Sequence, residues 1–365
     1  MPRTSRAVVM PPDEIHTVHC VNRCVRRAFL CGYDAESGRS FEHRREWIQD
    51  RLEFLAGAMG IDVMGFSVMS NHVHVVLRNR PDLVKDWSND DVRRRWWMLC
   101  PQRRDEHGAP ADPTDEELSF LVPDKEKMKA ARARLSDISW LMRFLCENIA
   151  RRANKEDDVT GHFWEGRFKA QTLLDDSALL ACSIYVDLNP IRAGIAATPE
   201  TSRFTSAYER IGALNEQRAP SVKKARRCKS RKKSKKPKRK RTRIRDRSAW
   251  LSPISLLDES EHCPTSRTRR ASDKGFLPMT LAEYLRLLDW TGRQARRDKR
   301  GKIPADVAPI LERLQVAEDM WVETVVNFGR WFRSAVGRTK NIQNEVDRRG
   351  RNRLHGSTAC GRAFV

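Results

Sequence analysis

Apolar and polar positions alternate with a period of two in IHTVHCV (residues 15–21), and its β-branched residues favour extended backbone, so a strand is expected there. The period then changes. Between residues 41 and 59, Trp47, Ile48, Phe54, Leu55 and Met59 recur at helical spacing, with Gly60 where such a helix would end. IDVMGFSVM (61–69) and HVHVVLR (72–78) return to strand character and predict a hairpin turning at Ser70-Asn71. From Ser136 to Asn154, Ile138, Leu141, Met142, Leu145 and Ile149 form one helical stripe. RFKAQTLL (167–174) fits a last strand. Asp176 is placed to cap a helix from about Ser177, expected to break where Asn189 meets Pro190. The order β, α, β, β, α, β predicts an α+β fold: a ferredoxin-like split βαβ antiparallel sheet with packed helices, and a further helix laid against it.

Elsewhere the pattern is weaker. Residues 79–135 are charged and Pro-containing, and predict an irregular insertion with little core of its own. Residues 218–248 have almost nothing apolar to bury and predict a disordered basic linker. Residues 250–365 turn apolar again in LPMTLAEYLRLLDW, IPADVAPILERL and MWVETVVNFGRWFRSAVG, which predicts a small helical C-terminal module of about three helices, with no visible chemistry.

Charge sharpens this division. The chain's formal net charge is +22, and the tract from Lys223 to Arg247 holds 17 Lys or Arg against the single acid Asp246. That tract supplies 16 of the 22 net charges, so the remainder is only mildly basic. A polyanionic partner is implied, and Lys232, Lys233, Lys235, Lys236, Arg239 and Arg241 are expected to bind nucleic acid through counterion release. The nine cysteines are scattered without paired spacing, which argues for reduced thiols. No stretch approaches the roughly 20 apolar residues of a membrane span, and the N-terminus shows no apolar leader. A cytoplasmic protein with no membrane partner is expected.

The chemistry concentrates in two segments. In SVMSNHVHVVLR (67–78), His72 and His74 share one face of a strand while Val73 and Val75 face the other way. Two adjacent imidazoles can hold a divalent cation if a third ligand arrives from elsewhere, although an HxH alone is more often one surface and one half-buried histidine. In SIYVDLNPIRAG (183–194), Tyr185 and Asn189 stand four apart on one helical face. A phenol attacks well only when a metal activates its target. Alternatively, Tyr185 is amphipathic core and Asn189 caps the turn before Pro190. A zinc site from His16, His19, Cys20, Cys24 and Cys31 is not expected, because HxxHCxxxC lacks paired CxxC spacing.

HTVHCVNRC (16–24), MGIDVMGFSVMSNHVHVVL (59–77), LMRFLCENIARRAN (141–154), GHFWEGRFKAQ (161–171) and ACSIYVDLNPIRAG (181–194) stand in this order along residues 14–197. Together they resemble the REP-associated branch of the single-tyrosine HUH transposases. The resemblance implies a transposase domain over residues 14–197, interrupted by the 79–135 insertion. It implies Tyr185 as nucleophile and His72, His74 and Asn189 as ligands of Mg²⁺ or Mn²⁺. It also implies single-stranded or hairpin DNA as substrate, cut through a 5′-phosphotyrosine intermediate during DNA transposition, in a bacterial protein acting as a monomer or a homodimer. Phe163, Trp164, Arg167 and Lys169 could supply stacking and charge to a DNA strand, with Phe163 and Trp164 equally readable as core, and Arg23 and Arg192 could contact phosphate.

Two other readings compete. A DNA- or RNA-binding protein of the same fold that has lost cleavage would not need to keep Tyr185, Asn189 and both histidines. A nuclease using water as nucleophile would not need Tyr185. The insertion, the basic tract and residues 250–365 depart from the family pattern and leave the DNA sequence recognised open.

Overall fold

A computed structural model describes residues 5–25, 30–35, 38–218, 247–256, 269–294, 311–312 and 316–364. The basic tract falls almost wholly outside them, so Lys232, Lys233, Lys235, Lys236, Arg239 and Arg241 lie outside the described residues.

The strands in chain order are β1 (Thr17–Arg23), β2 (Tyr33–Asp34), β3 (Arg39–Ser40), β4 (Ile61–Val68), β5 (His72–Asn79), β6 (Lys169–Leu173) and β7 (Ala335–Val336). One sheet runs in the order β4-β5-β1-β6-β7, and β2 pairs only with β3. Of the four strands expected from the pattern, each is antiparallel to its hydrogen-bonded neighbours among them, with β1 between β5 and β6, which is the split βαβ arrangement. β7 adds to the open edge in parallel with β6, a strand that the sequence pattern does not predict.

The sheet separates two apolar layers. Val18, Cys20, Val73, Val75 and Leu77 face the helices Arg44–Ala58 and Ile138–Glu156. On the other face, Met64 and Val76 join the helix Asp176–Arg192, the Leu281–Gln294 and Glu318–Trp331 helices, and the segment around Phe276 and Leu277. Both faces are therefore closed. That explains why β4 and most of β5 are buried along their whole length instead of alternating.

Three expectations are corrected here. The insertion is helical (Pro81–Asp86, Asn89–Leu99, Asp115–Leu121, Lys125–Leu135), and its Val84, Val92, Trp96, Leu99, Val122, Met128 and Leu135 enter the first core. Charge dominates its composition, but Ser88 and Thr114 each form a capping box and the apolar residues fall on inward faces. Trp97 anchors the packing of the insertion, buried with its indole N–H donating to the Ala111 carbonyl at 2.7 Å.

Second, Asp175 rather than Asp176 caps the next helix, its carboxylate accepting from the Ala178 amide at 3.0 Å. That helix also continues through Pro190 to Arg192. A proline so near the end removes only one helical hydrogen bond, and the Ala193 amide still reaches the Asn189 carbonyl at 2.9 Å.

Third, residues 316–364 share one core with the Asp176–Arg192 helix rather than standing apart from it. Helices form as expected at Leu281–Gln294 and Glu318–Trp331, while most of IPADVAPILERL lies outside the described residues. Asp187 ties the layers together. Buried in the middle of its helix, it accepts from Ser206 Oγ (2.5 Å), the Ala207 amide (3.0 Å) and the Tyr284 hydroxyl (2.7 Å).

Candidate active site

The register of the sheet assembles the site. Across β1 and β5, Val21 stands opposite His74, and Arg23 opposite His72. Across β1 and β6, His19 stands opposite Gln171, and Val21 opposite Lys169. Directly opposed residues share a face, so His19, Arg23, His72, His74, Lys169 and Gln171 all lie on the face covered by the Asp176–Arg192 helix. The expected alternation of His72 and His74 against Val73 and Val75 is what the strand shows.

A chain of hydrogen bonds orients these imidazoles. The Gln171 carboxamide oxygen accepts from His19 Nδ1 at 3.1 Å, which leaves His19 Nε2 as an acceptor. His74 Nδ1–H then donates to His19 Nε2 at 2.8 Å. The lone pair of His74 is thereby placed on Nε2, an atom that is buried and has no hydrogen-bond partner among the described residues. His72 repeats the pattern, with Nδ1 against the Asn71 carboxamide oxygen at 2.5 Å and Nε2 left available. The two rings are 4.7 Å apart, centroid to centroid.

The surroundings keep all three imidazoles neutral. Burial, opposed only by the Gln171 bond, pushes His19 down to about 4. Burial, with Arg23 and His19 beside it, pushes His72 down to about 4. His74 falls well below the ordinary histidine value, first through burial and then through the neighbouring histidines, Arg192 and Arg23. Neutral imidazoles whose Nε2 lone pairs are not taken up by a hydrogen bond are what a metal requires.

Tyr185 completes the cluster. Its ring lies 5.6 Å from that of His74 and 6.0 Å from that of His19, edge-on to both. Burial raises its phenol above the ordinary tyrosine value, while the Arg192 charge, 5.1 Å from the ring centroid, pulls the other way. The side chains of Asn189 and Arg192 are also close enough to favour the phenolate, yet the Asn189 amide nitrogen is buried without a well-formed hydrogen bond. A half-turn of that carboxamide would present its oxygen instead.

Sequence reasoning missed His19, Gln171 and the wall behind the tyrosine. That wall is the Glu318–Trp331 helix, where Phe328 stacks on the Tyr185 ring at 5.3 Å and 28°. Gly329 lies against the hydroxyl, so closely that a side-chain Cβ there would stand 2.6 Å from Tyr185 Oη. The Arg192 guanidinium donates to the Val326 carbonyl of the same helix. No local signal points to these residues. His19 does share a strand face with Val21 and Arg23, and that much is readable from the strand's period.

The residues expected to touch DNA divide. Arg23, Arg167, Lys169 and Arg192 are exposed, with Arg23 and Lys169 on the histidine face. Phe163 is 2% exposed and packs in the first core, so it has no ring face to offer a base. Its burial is set by the main chain: the Val25 amide donates to the Phe163 carbonyl and the Glu165 amide to the Arg23 carbonyl, each at 2.9 Å. Trp164 is half-buried, its indole N–H held by the Cys146 carbonyl at 2.8 Å.

His16 is engaged with the Pro11 carbonyl, and Cys20 and Cys24 face the opposite core from His19, so no zinc site assembles there. Among the described residues, no group of three or more His, Cys, Asp or Glu is arranged to hold a metal ion. The donor set at the tyrosine is different in kind: two imidazole nitrogens and a carboxamide. The orphaned Nε2 of His74 fits a cation better than it fits a dry core, where it would cost about 1–3 kcal/mol, and the Asn189 carboxamide would offer its oxygen to that cation only after the half-turn.

No helix among the described residues is long and apolar enough to cross a membrane. Neither a protein-family model nor a curated protein matches the chain. Among solved structures, the chain is similar to one described as a REP-associated tyrosine transposase bound to a REP hairpin. That likeness has 10% identity and a TM-score of 0.32, and covers 54% of this chain and 79% of that one. At that score it is too slight to assign an activity.

Proposed function

We propose that this protein is a DNA strand transferase of the single-tyrosine HUH type, with Tyr185 as nucleophile. The observation that carries the reading is the convergence of Tyr185 with two imidazoles whose Nδ1 atoms are occupied and whose Nε2 lone pairs are free. The motif resemblance over residues 14–197 supports the same assignment.

His72, His74 and Asn189 would hold Mg²⁺ or Mn²⁺. The carboxamide oxygen suits either ion and the imidazoles favour Mn²⁺. When bound, such an ion supplies Lewis-acid polarisation of a phosphodiester. In the reaction proposed, Tyr185 Oη forms a bond to phosphorus while the bond from phosphorus to the 3′ oxygen breaks. The products are a 5′-phosphotyrosine and a 3′-hydroxyl, and the phenolic proton is released to solvent as the leaving oxygen gains one. His19 and His72, both pushed down to about 4, are too weakly basic to keep it. Arg192 stabilises the phenolate as it forms, and exposed Arg23 and Lys169 lie where they can hold the flanking backbone. Because the phosphotyrosine retains the energy of the phosphodiester, another 3′-hydroxyl can reverse the step, which is strand transfer.

The test is to incubate the purified chain with labelled single-stranded hairpin DNA and Mn²⁺ or Mg²⁺, then denature. A covalent protein–DNA adduct that disappears in Tyr185→Phe is expected. Cleavage that survives the substitution would point to water as nucleophile, and binding without cleavage to a nucleic-acid-binding protein.

A further inference from the structure

The helix that walls the tyrosine also borders an open cleft of about 590 Å³, formed with the C-terminal residues. This falls in the range of roughly 300–1,000 Å³ typical of ligand sites. Phe328 and Gly329 touch Tyr185, and the next two residues, Arg330 and Trp331, turn into the cleft. Arg353, His355 and Arg362 come in from the chain beyond.

Three features of this cleft point the same way. It is lined by three arginines and a histidine, all exposed, and no carboxylate lines it among the described residues. Trp331 is half-buried, edge-on to Phe332, so its orientation is held by packing. The Arg362 guanidinium stands 5.7 Å from the Trp331 ring centroid. An indole held by packing, with one guanidinium near its ring and two more lining the same cleft, can stack an unpaired base and hold the phosphates on either side. A base still paired in a duplex could not reach the indole.

We infer that this cleft binds single-stranded nucleic acid, taking a base on Trp331 and flanking phosphates on Arg330, Arg353 and Arg362. It would hold the strand running away from the phosphodiester placed at Tyr185. Only that orientation rests on the tyrosine reading above; the affinity of the cleft does not. The C-terminal residues then have a role in substrate binding, and the cleft selects unpaired DNA next to the cut.

The test uses the full chain carrying Tyr185→Phe, so that no cleavage intervenes, and a short oligo(dT) with one 5-iododeoxyuridine. On irradiation, the cross-link should map to the peptide containing Trp331. Trp331→Ala should weaken binding about 10-fold, with Trp331→Phe retaining most of it. In the triple variant Arg330→Gln, Arg353→Gln, Arg362→Gln, the slope of log K against log salt should shrink by about 2, at roughly 0.7 for each phosphate no longer neutralised. The three arginines are exposed and Trp331 is half-buried, and unchanged circular dichroism in each variant would confirm the fold. Cross-links found only in the basic tract or elsewhere, with an unchanged salt slope in the triple variant, would overturn the assignment. Adduct formation by the chain with its tyrosine intact separates the two readings. An adduct without the Trp331 cross-link overturns the cleft alone, and the cross-link without an adduct overturns the chemistry alone.

Discussion

His19 and His74 are joined Nε2 to Nδ1 at 2.8 Å across neighbouring strands, and Gln171 holds the far side of His19. The pair determines which nitrogen of His74 carries its lone pair. Partners that orient a ligating histidine in this way are worth about 10–100-fold in metal affinity. His19→Ala should therefore lower Mn²⁺ affinity within that range, read by calorimetry, and Gln171→Leu should reproduce part of the loss. An affinity unchanged in His19→Ala would show that His74 is oriented by something else.

Binding of the ion should also be visible without any reaction. A ligand that binds only the folded state, present at 100 times its Kd, stabilises by about 2.7 kcal/mol. Saturating Mn²⁺ should raise the melting temperature of the chain, and EDTA should reverse the rise. In His74→Ala the shift should vanish. A shift of equal size in that variant would place the ion elsewhere.

Gly329 is kept without a side chain by its neighbour. A Cβ at that position would stand 2.6 Å from Tyr185 Oη, so Gly329→Ala must move either the helix or the phenol. Displacement of a reacting group by about 1 Å costs on the order of 100-fold in rate. The rate of adduct formation should fall by about that factor. Stability should change little, since alanine favours the helix by about 0.5–1 kcal/mol and offsets part of the crowding. An unaltered rate would mean that Tyr185 swings away from Gly329 before reacting.

Asp187 lies two residues from Tyr185 and holds the helix Ser206–Arg218 and the helix Leu281–Gln294 against the tyrosine helix. Its removal leaves Arg210, fully buried beside it, without a counter-charge. Its removal also leaves the buried Ser206, Ala207 and Tyr284 donors without their acceptor, at about 1–3 kcal/mol each. Asp187→Ala should lose stability on at least that scale in urea unfolding, and Asp187→Asn less.

Glu345 gives the docking of the C-terminal residues a pH dependence. Burial raises its carboxyl, but hydrogen bonds from Arg348 and Arg349 outweigh burial, so its folded pKa lies below the ordinary glutamate value. A group with a depressed folded pKa contributes stability above its unfolded pKa, about 4.3. That contribution is lost as pH falls through the folded value. Arg349 also reaches Thr172 Oγ1 on β6 at 3.2 Å, so acid should loosen the C-terminal residues from the sheet edge. The gap in urea midpoint between the natural chain and Glu345→Gln should be constant from about pH 6 to 7 and narrow as pH falls below the unfolded value of about 4.3. A gap that does not narrow on acidification would rule out this linkage.

Much of this molecule is legible in its sequence. The strand and helix periods of residues 15–197 set the βαββαβ order, because β-branched apolar runs and helical stripes are written into each element's own sequence. His72, His74, Tyr185 and Asn189 are readable for the same reason: side chains two apart on a strand, or four apart on a helix, share a face whatever the fold. The helices of residues 79–135 are hidden by their charge, and the passage of a helix through Pro190 by the local cost of proline. In both cases burial against distant residues decides the outcome.

Only the tertiary structure decides the rest. That His19 completes His74 depends on the register between β1 and β5, which no residue of either strand specifies alone. That Phe163 is core, and not a stacking platform, depends on the chain's return alongside Arg23. That Phe328 and Gly329 wall the tyrosine depends on a contact between segments far apart in the chain. Sequence period encodes which face of an element is apolar; it does not encode which other element will cover that face, and at this site the cover supplies the second wall around Tyr185.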